Sequence, residues 1–302
     1  MNPRRALARC DGCSSCESRC PMDVPRRRFN TLAAAGRVKE ALELASDCTL
    51  CGLCERVCPH GIPHTELLAG LRAEEPTPSA VERALRTGTP YRRKLEGEEE
   101  PLEGDVVAVL GCTIRSRRGW LESALRLARR AGLATLGREE PCCLNFARKR
   151  GEEVPERVRE RWRRLFEEYD AVVVFCPGCL DFCVEVLGER PLYYAAIADF
   201  EGVPRGATYK SPCHLVRHGL DDAVLSILPD HVRTPPRRHR CCGGGALVGE
   251  PSPTTVRALR RSGEPVITPC PMCTRTLEGE LDVRPLWEYA VNLSPDEEPA
   301  VC

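Results

Sequence analysis

The sequence is short of lysine, of aromatic residues and of long apolar runs. Lys39, Lys94, Lys149 and Lys210 are its only lysines, so 40 of the 44 basic residues are arginine. That bias needs nothing beyond a GC-rich coding sequence. Aromatic residues make up 5% of the 302 positions, so a core must rest on Val, Leu, Ala and Ile. Basic and acidic residues balance at 44 each. A nucleic-acid-binding chain usually carries a basic excess, which argues against nucleic acid as the partner. No run approaches the roughly 18 apolar residues of a spanning helix. The first residues, MNPRRALARCDGC, lack the apolar core of a secretory leader. These absences point to a cytoplasmic chain, with any membrane attachment made through a partner protein.

What the chain has in excess is cysteine, 20 residues in all. Without a secretory context such a number reads as metal ligation rather than disulfides. Cys10–Pro21 is CDGCSSCESRCP and Cys48–Pro59 is CTLCGLCERVCP. Both are C-x2-C-x2-C-x3-C-P, the run that ligates [4Fe-4S] clusters in two-cluster ferredoxins. Three thiolates on one tight loop can grip three irons of a cube, and the fourth cysteine serves the other cube. The assignment expected is Cys10, Cys13, Cys16 and Cys58 on one cluster, with Cys48, Cys51, Cys54 and Cys20 on the other. Zinc sites rarely use this spacing. Between the copies, Leu32, Ala35, Val38, Leu42 and Ala45 form a helical stripe within residues 29–46. Residues 64–74 read as a second helix, with Thr65 a candidate cap. The first 75 residues are therefore expected to be an α-helical two-cluster module. A linker rich in Pro, Gly and Glu over 76–104 follows, with one short helix at 80–86.

From Asp105 strands and helices alternate, which predicts an α/β unit with a parallel sheet. Strands are expected at 105–111, 133–137 and 171–175, with helices at 120–131, 155–168 and 180–187. The order then returns. Strands are expected at 207–212 and 265–269, with helices at 221–228 and 253–261. Each half carries a single Cys, a Cys-Cys pair and a Cys-Pro-x-Cys, offset by 101, 99 and 94 residues respectively. An internal duplication explains this. It divides the chain into half-domains 105–205 and 206–302. The cysteines fall at or just beyond strand carboxyl ends, where ligands bind in open α/β sheets. A cube needs four thiolates, so five per half leaves either a spare thiol or an unusual cluster. Zinc at one half remains an alternative through its C-x2-C pair. Cys183 and Cys302 fall outside these sets, and Cys183 reads as a structural thiol.

Two helical-ferredoxin runs followed by two such halves resemble the CCG-domain proteins. In particular they resemble heterodisulfide reductase, as if its small ferredoxin subunit were fused to its catalytic subunit. The resemblance covers Cys10 to about Leu286. It implies two noncubane [4Fe-4S] clusters beside the two cubanes. One would be held by Cys112, Cys142, Cys143, Cys176 and Cys179, the other by Cys213, Cys241, Cys242, Cys270 and Cys273. It further implies that a disulfide of thiol coenzymes is cleaved between two facing clusters, one sulfur going to each. Gly243 and Gly244 would let the backbone approach the second cluster. The first half departs from the pattern, with Leu144 where the second has Gly243, so one noncubane cluster rather than two is the alternative. Relatives of this layout also include electron-transfer subunits of flavoprotein systems oxidising 2-hydroxyacids or glycerol 3-phosphate, which pass electrons towards quinone. That is the competing reading. Either requires a redox partner, a flavoprotein or a membrane b-type cytochrome. Basic residues crowd the cysteine loops: Arg115, Arg117 and Arg118, then Arg148, Lys149 and Arg150, then His214, Arg217 and His218, then His239 and Arg240. They read as a mouth for a small anionic disulfide. His214 and His218, within one helical turn, are candidate proton donors to product thiolates.

Overall fold

The computed structural model describes residues 3–77, 79–88, 90–91, 101–235, 240–245, 250–263 and 265–295. The linker's residues 92–100, His239 and Cys302 lie outside them.

In the N-terminal module each cysteine run forms a loop closed by one helical turn, Ser15–Ser18 or Leu53–Arg56. The repeat extends to the backbone. Gly12 and Leu50, 38 positions apart, both have positive φ, as do Ser14 and Gly52. Leu50 thus takes a left-handed conformation that glycine adopts freely in the first copy. The single helix expected over 29–46 is two, Arg26–Ala34 and Val38–Leu44. Gly36, at φ 75°, breaks it. The buried face is Phe29, Leu32, Ala33, Ala41 and Ala45, while Ala35 is exposed. The helix His64–Arg72 follows the second run. It is capped by Glu55, whose Oε1 accepts from Thr65 N at 2.6 Å and Thr65 Oγ1 at 2.7 Å, rather than by Thr65 itself. The short helix expected in the linker is Ser79–Thr87. Its Val81 and Ala84 are buried in the core of the following half, so this part of the linker is packed structure.

The first half builds a parallel sheet from β1 (Val106–Val109), β2 (Ala134–Thr135), β3 (Ala171–Val174) and β4 (Leu192–Tyr193), in the order β2-β1-β3-β4. Its β1 and β3 are continuous apolar runs, as strands buried on both faces require. After β5 (Ala198–Phe200) the second half repeats the plan with β6 (Thr208–Tyr209), β7 (Val266–Thr268) and β8 (Val283–Pro285), in the order β6-β7-β8. A parallel bridge from Thr208 to Arg233 occupies the place of β2. The halves are tied by β5, which pairs antiparallel with β9 (Ala290–Leu293) from the end of the second half. They also share a core, in which Tyr209, Ile267, Leu286 and Trp287 pack with Val107, Val173 and Phe175. The doubled parallel α/β halves and the helical module agree with the expected fold class.

Candidate functional site

The local sequence explains how the thiols are placed. Each Cys-Pro-x-Cys follows a sheet strand, and its proline takes the first helical position, where no backbone N–H is needed. The helices Pro177–Phe182 and Pro271–Leu277 therefore start inside the motif. Cys270 Sγ accepts from Cys273 N at 3.4 Å, capping that helix. The single cysteines open the helical turns Cys112–Arg115 and Cys213–Arg217. The Cys-Cys pairs are each followed by a left-handed residue, Leu144 at φ 51° and Gly243 at φ 100°. Leucine in the first half therefore keeps the turn that glycine makes in the second. Gly243 N donates to Cys241 Sγ and Gly244 N to Cys242 Sγ, both at 3.4 Å. A β-carbon on Gly244 would fall 2.1 Å from Thr276 Oγ1.

All five thiols of each half come together. In the first, the thiols adjoin in the order Cys112, Cys142, Cys143, Cys179 and Cys176. The Cys143–Cys179 sulfur distance is 3.6 Å. In the second the order is Cys213, Cys241, Cys242, Cys273 and Cys270. Bonds from Cys142 and Cys179 hold the Cys143 thiol well below its ordinary range. Bonds from Cys213, Cys242 and Cys51 do the same for Cys241. Lys210 is buried beneath the second set. Burial disfavours its charge, but Cys273, Cys242, Cys213 and Cys241 keep it protonated. The two sets lie near one another, for the Cys176 thiol of the first acts on Cys270 of the second; the hydroxyls of Tyr193 and Tyr194 donate to Pro269 O, next to Cys270, at 2.7 and 3.2 Å.

In the N-terminal module one cavity is lined by Cys20, Cys48, Cys51 and Cys54, and another by Cys10, Cys13, Cys16 and Cys58. These are the two sets expected from the runs. The fourth cysteines are held alike, Cys20 Sγ accepting from Val24 N at 3.4 Å and Cys58 Sγ from Ile62 N at 3.5 Å. Buried polar atoms at these cavities lack protein partners, namely Arg26 Nε and Nη1, Asn30 Oδ1 and both His64 ring nitrogens. Buried donors rarely stay unpaired. Four thiols around one cavity, with the unspent donors of Arg26 and His64, suit an iron–sulfur cluster, whose sulfur atoms accept hydrogen bonds. The Cys20 set abuts the second half, with Thr49 Oγ1 3.0 Å from Cys241 Sγ and Cys51 hydrogen-bonded to Cys241.

The basic residues expected to form a mouth are largely tied inward. Asp181, fully buried, accepts from Arg148 Nη2 at 2.7 Å and Asn145 Nδ2 at 2.9 Å, and pairs with His218 Nε2 at 2.9 Å. Lys149 and Arg217 lie 3.9 and 3.7 Å from it. Burial works against the Asp181 charge, but His214, Lys149, the hydrogen bond from His218 and Arg148 hold its carboxyl well below the usual range. Lys149 Nζ donates to Leu50 O at 3.2 Å and contacts His214 Nε2. Burial and the neighbouring Lys149 push His214 down to about 3. Arg117 pairs with Glu278 across the halves. Cys183 is buried in the first half's core, where burial pushes its thiol up. Sequence reasoning passed over Arg26, His64 and Asp181. The first two occupy equivalent positions of the repeat, CPMDVPR and CPHGIPH, and could have been found from it. Asp181 had no such mark, because its partners come from two segments far from it in sequence, 145–149 and 214–218.

Two family profiles match the chain. That of the 4Fe-4S dicluster domain covers residues 9–62, and that of the cysteine-rich CCG domain covers 106–181 and 207–278. Among curated proteins, the chain is 27% identical to one subunit of the dihydromethanophenazine:CoB–CoM heterodisulfide reductase of Methanosarcina mazei. That match covers 76% of this chain and 71% of the relative. It is 25% identical to the corresponding protein of Methanosarcina barkeri, over 78% of this chain and 72% of the relative. It is also 25% identical to one subunit of the CoM/CoB fumarate reductase of Methanothermobacter marburgensis, over 95% of this chain and 71% of the relative. No solved structure gives a significant match. Among the described residues, no helix is long and apolar enough to cross a membrane.

Proposed function

The chain belongs to the CCG-domain iron–sulfur electron-transfer proteins, and from that premise we propose that it is a disulfide reductase acting on a small anionic disulfide of thiol coenzymes. Cys10, Cys13, Cys16 and Cys58 would hold one cubane, and Cys20, Cys48, Cys51 and Cys54 the other. The sets beginning at Cys112 and Cys213 would hold the two noncubane clusters. Bound clusters supply electrons one at a time. Cleaving a disulfide takes two electrons and two protons and releases two thiols. The observation that carries the reading is the completeness of both five-thiol sets, with Cys176 of the first close enough to Cys270 of the second to influence its thiol. A simple electron carrier has no use for a second complete set. Thr49 and Cys51 bring the ferredoxin module into direct contact with Cys241, which suits the second set as the one that receives reducing equivalents. Docking to a flavoprotein or a membrane b-type cytochrome fits the relatives, which are named as parts of multi-protein reductases.

The test is turnover of disulfides of anionic thiol coenzymes by anaerobic protein with reduced viologen. Cys143→Ala and Cys242→Ala should each abolish it while the cubane signals persist. Full activity in Cys143→Ala would show that the first set is not needed for cleavage, and no turnover by the wild type would favour the second reading, an electron-transfer protein without its own substrate.

A further inference from the structure

The two cysteine runs are related by a 38-residue repeat, and so are the positions that follow them. Arg26 and His64 are equivalent, each the first residue of a helix after Pro25 or Pro63. Both are buried, at 3% and 1% exposure. The repeat therefore puts a cation at one of these positions and an imidazole at the other, and only the cation is confined to a single cavity. Arg26 Nη2 donates to Cys48 Sγ at 2.8 Å. Its Nε and Nη1 are buried without a protein partner, and the side chain lines the cavity of Cys20, Cys48, Cys51 and Cys54. A guanidinium keeps its charge at any ordinary pH. In the Cys10 cavity the polar contact to sulfur is neutral, Asn30 Nδ2 to Cys10 Sγ at 3.3 Å. Arg27 lines that cavity too but is exposed, so water screens it. His64 lines both cavities and is equally available to both.

We propose that Arg26 is a built-in charge bias, which raises the reduction potential of the cluster held by Cys20, Cys48, Cys51 and Cys54 above that of the cluster held by Cys10, Cys13, Cys16 and Cys58. This rests on the reading that both sets hold cubanes. A [4Fe-4S] centre gains one negative charge on reduction, and its potential rises with local positive charge and with hydrogen bonds to its sulfurs. Arg26 supplies both in a site from which water is excluded, where a charge acts most strongly. The electron then settles on the set that touches Cys241, next to the second five-thiol group. Arg26 is thus a positioning residue for charge, and it gives two repeats of the same cysteine spacing different work.

The experiment is a potentiometric titration of the full chain, purified anaerobically and followed by electron paramagnetic resonance. The wild type should show two cubane midpoints. The higher one should be that of the cluster altered in Cys51→Ser. Arg26→Gln should lower it towards the other, which moves less because Arg26 acts on only Cys16 of that set, and Arg26→Lys should keep most of the gap. Should Arg26→Gln fail to load, the wild type labelled with 15N-arginine answers instead. A nitrogen coupling on the reduced higher-potential cluster supports the proposal, and its absence overturns it. Equal wild-type midpoints, or an unchanged gap in Arg26→Gln, would also overturn it. A wild type with no cubane signal would instead overturn the cluster reading beneath it.

Discussion

Leu144 holds φ 51° and ψ 23°, and its side chain is fully buried. Left-handed backbone costs a non-glycine residue about 1–2 kcal/mol. Removing a buried leucine side chain costs about 2–5 kcal/mol. The second effect is larger, so Leu144→Gly should destabilise the protein by roughly 2 kcal/mol even though it restores the Cys-Cys-Gly of the other half. Denaturant unfolding measures this. Gly243 is the opposite case, since a β-carbon there would lie 1.9 Å from Glu250 O. Gly243→Ala should therefore cost the second five-thiol set its cluster, read as a loss of about four iron atoms per chain. Asp181 is the counter-ion of a buried group of cations. Breaking such a group from one side leaves charge uncompensated, at about 3–5 kcal/mol. Asp181→Ala should unfold at markedly lower denaturant concentration, whereas a surface pair such as Arg284–Asp282 should tolerate the same change.

At the scale of elements, the strands that were legible are those buried as unbroken apolar runs. VVAV and AVVV cannot be read as anything polar, and β1 and β3 formed where they were expected. The two-residue strands β2, β4 and β6 take their identity from neighbours and leave little mark in sequence. The 29–46 stripe misled because its three- and four-residue steps run on across Gly36, where the chain turns. The pairing of β5 with β9 went unread despite a signal. RPLYY at Arg190 returns as RPLWE at Arg284, with the same 94-residue offset as the Cys-Pro-x-Cys motifs. That tail brings Trp287 into the shared core, edge-on to Trp120 at 5.7 Å, with Nε1 donating to Ser123 Oγ at 3.0 Å. Trp287→Ala should cost about 3–5 kcal/mol. Because the residue joins the two halves, a single cooperative transition should shift as a whole by circular dichroism. Two separated transitions would mean that the halves fold independently.

On the scale of the whole molecule, the ferredoxin module is built into the CCG halves rather than tethered to them. Ser252 and Thr254 hydroxyls both donate to Pro21 O at 2.7 Å. Arg72 spans the seam, donating to Cys48 O at 2.7 Å and to Lys149 O at 3.4 Å. Gly151 packs so closely that a β-carbon would fall 2.3 Å from Ala69 O. Gly151→Val should loosen the module and expose residues 1–75 to protease, while the thiol sets of the halves stay intact. The cysteine sets were legible because spacing encodes ligation. Their mutual arrangement was not, since it depends on seam contacts between residues more than 190 positions apart, such as Thr49 and Cys241. The central claim is that four thiol sets, packed into one molecule, hold four clusters. Iron quantitation on the anaerobically purified chain tests it most directly. The account predicts about sixteen iron atoms per chain, from four clusters of the [4Fe-4S] type. About eight, with two ordinary cubane signals and no others, would contradict it.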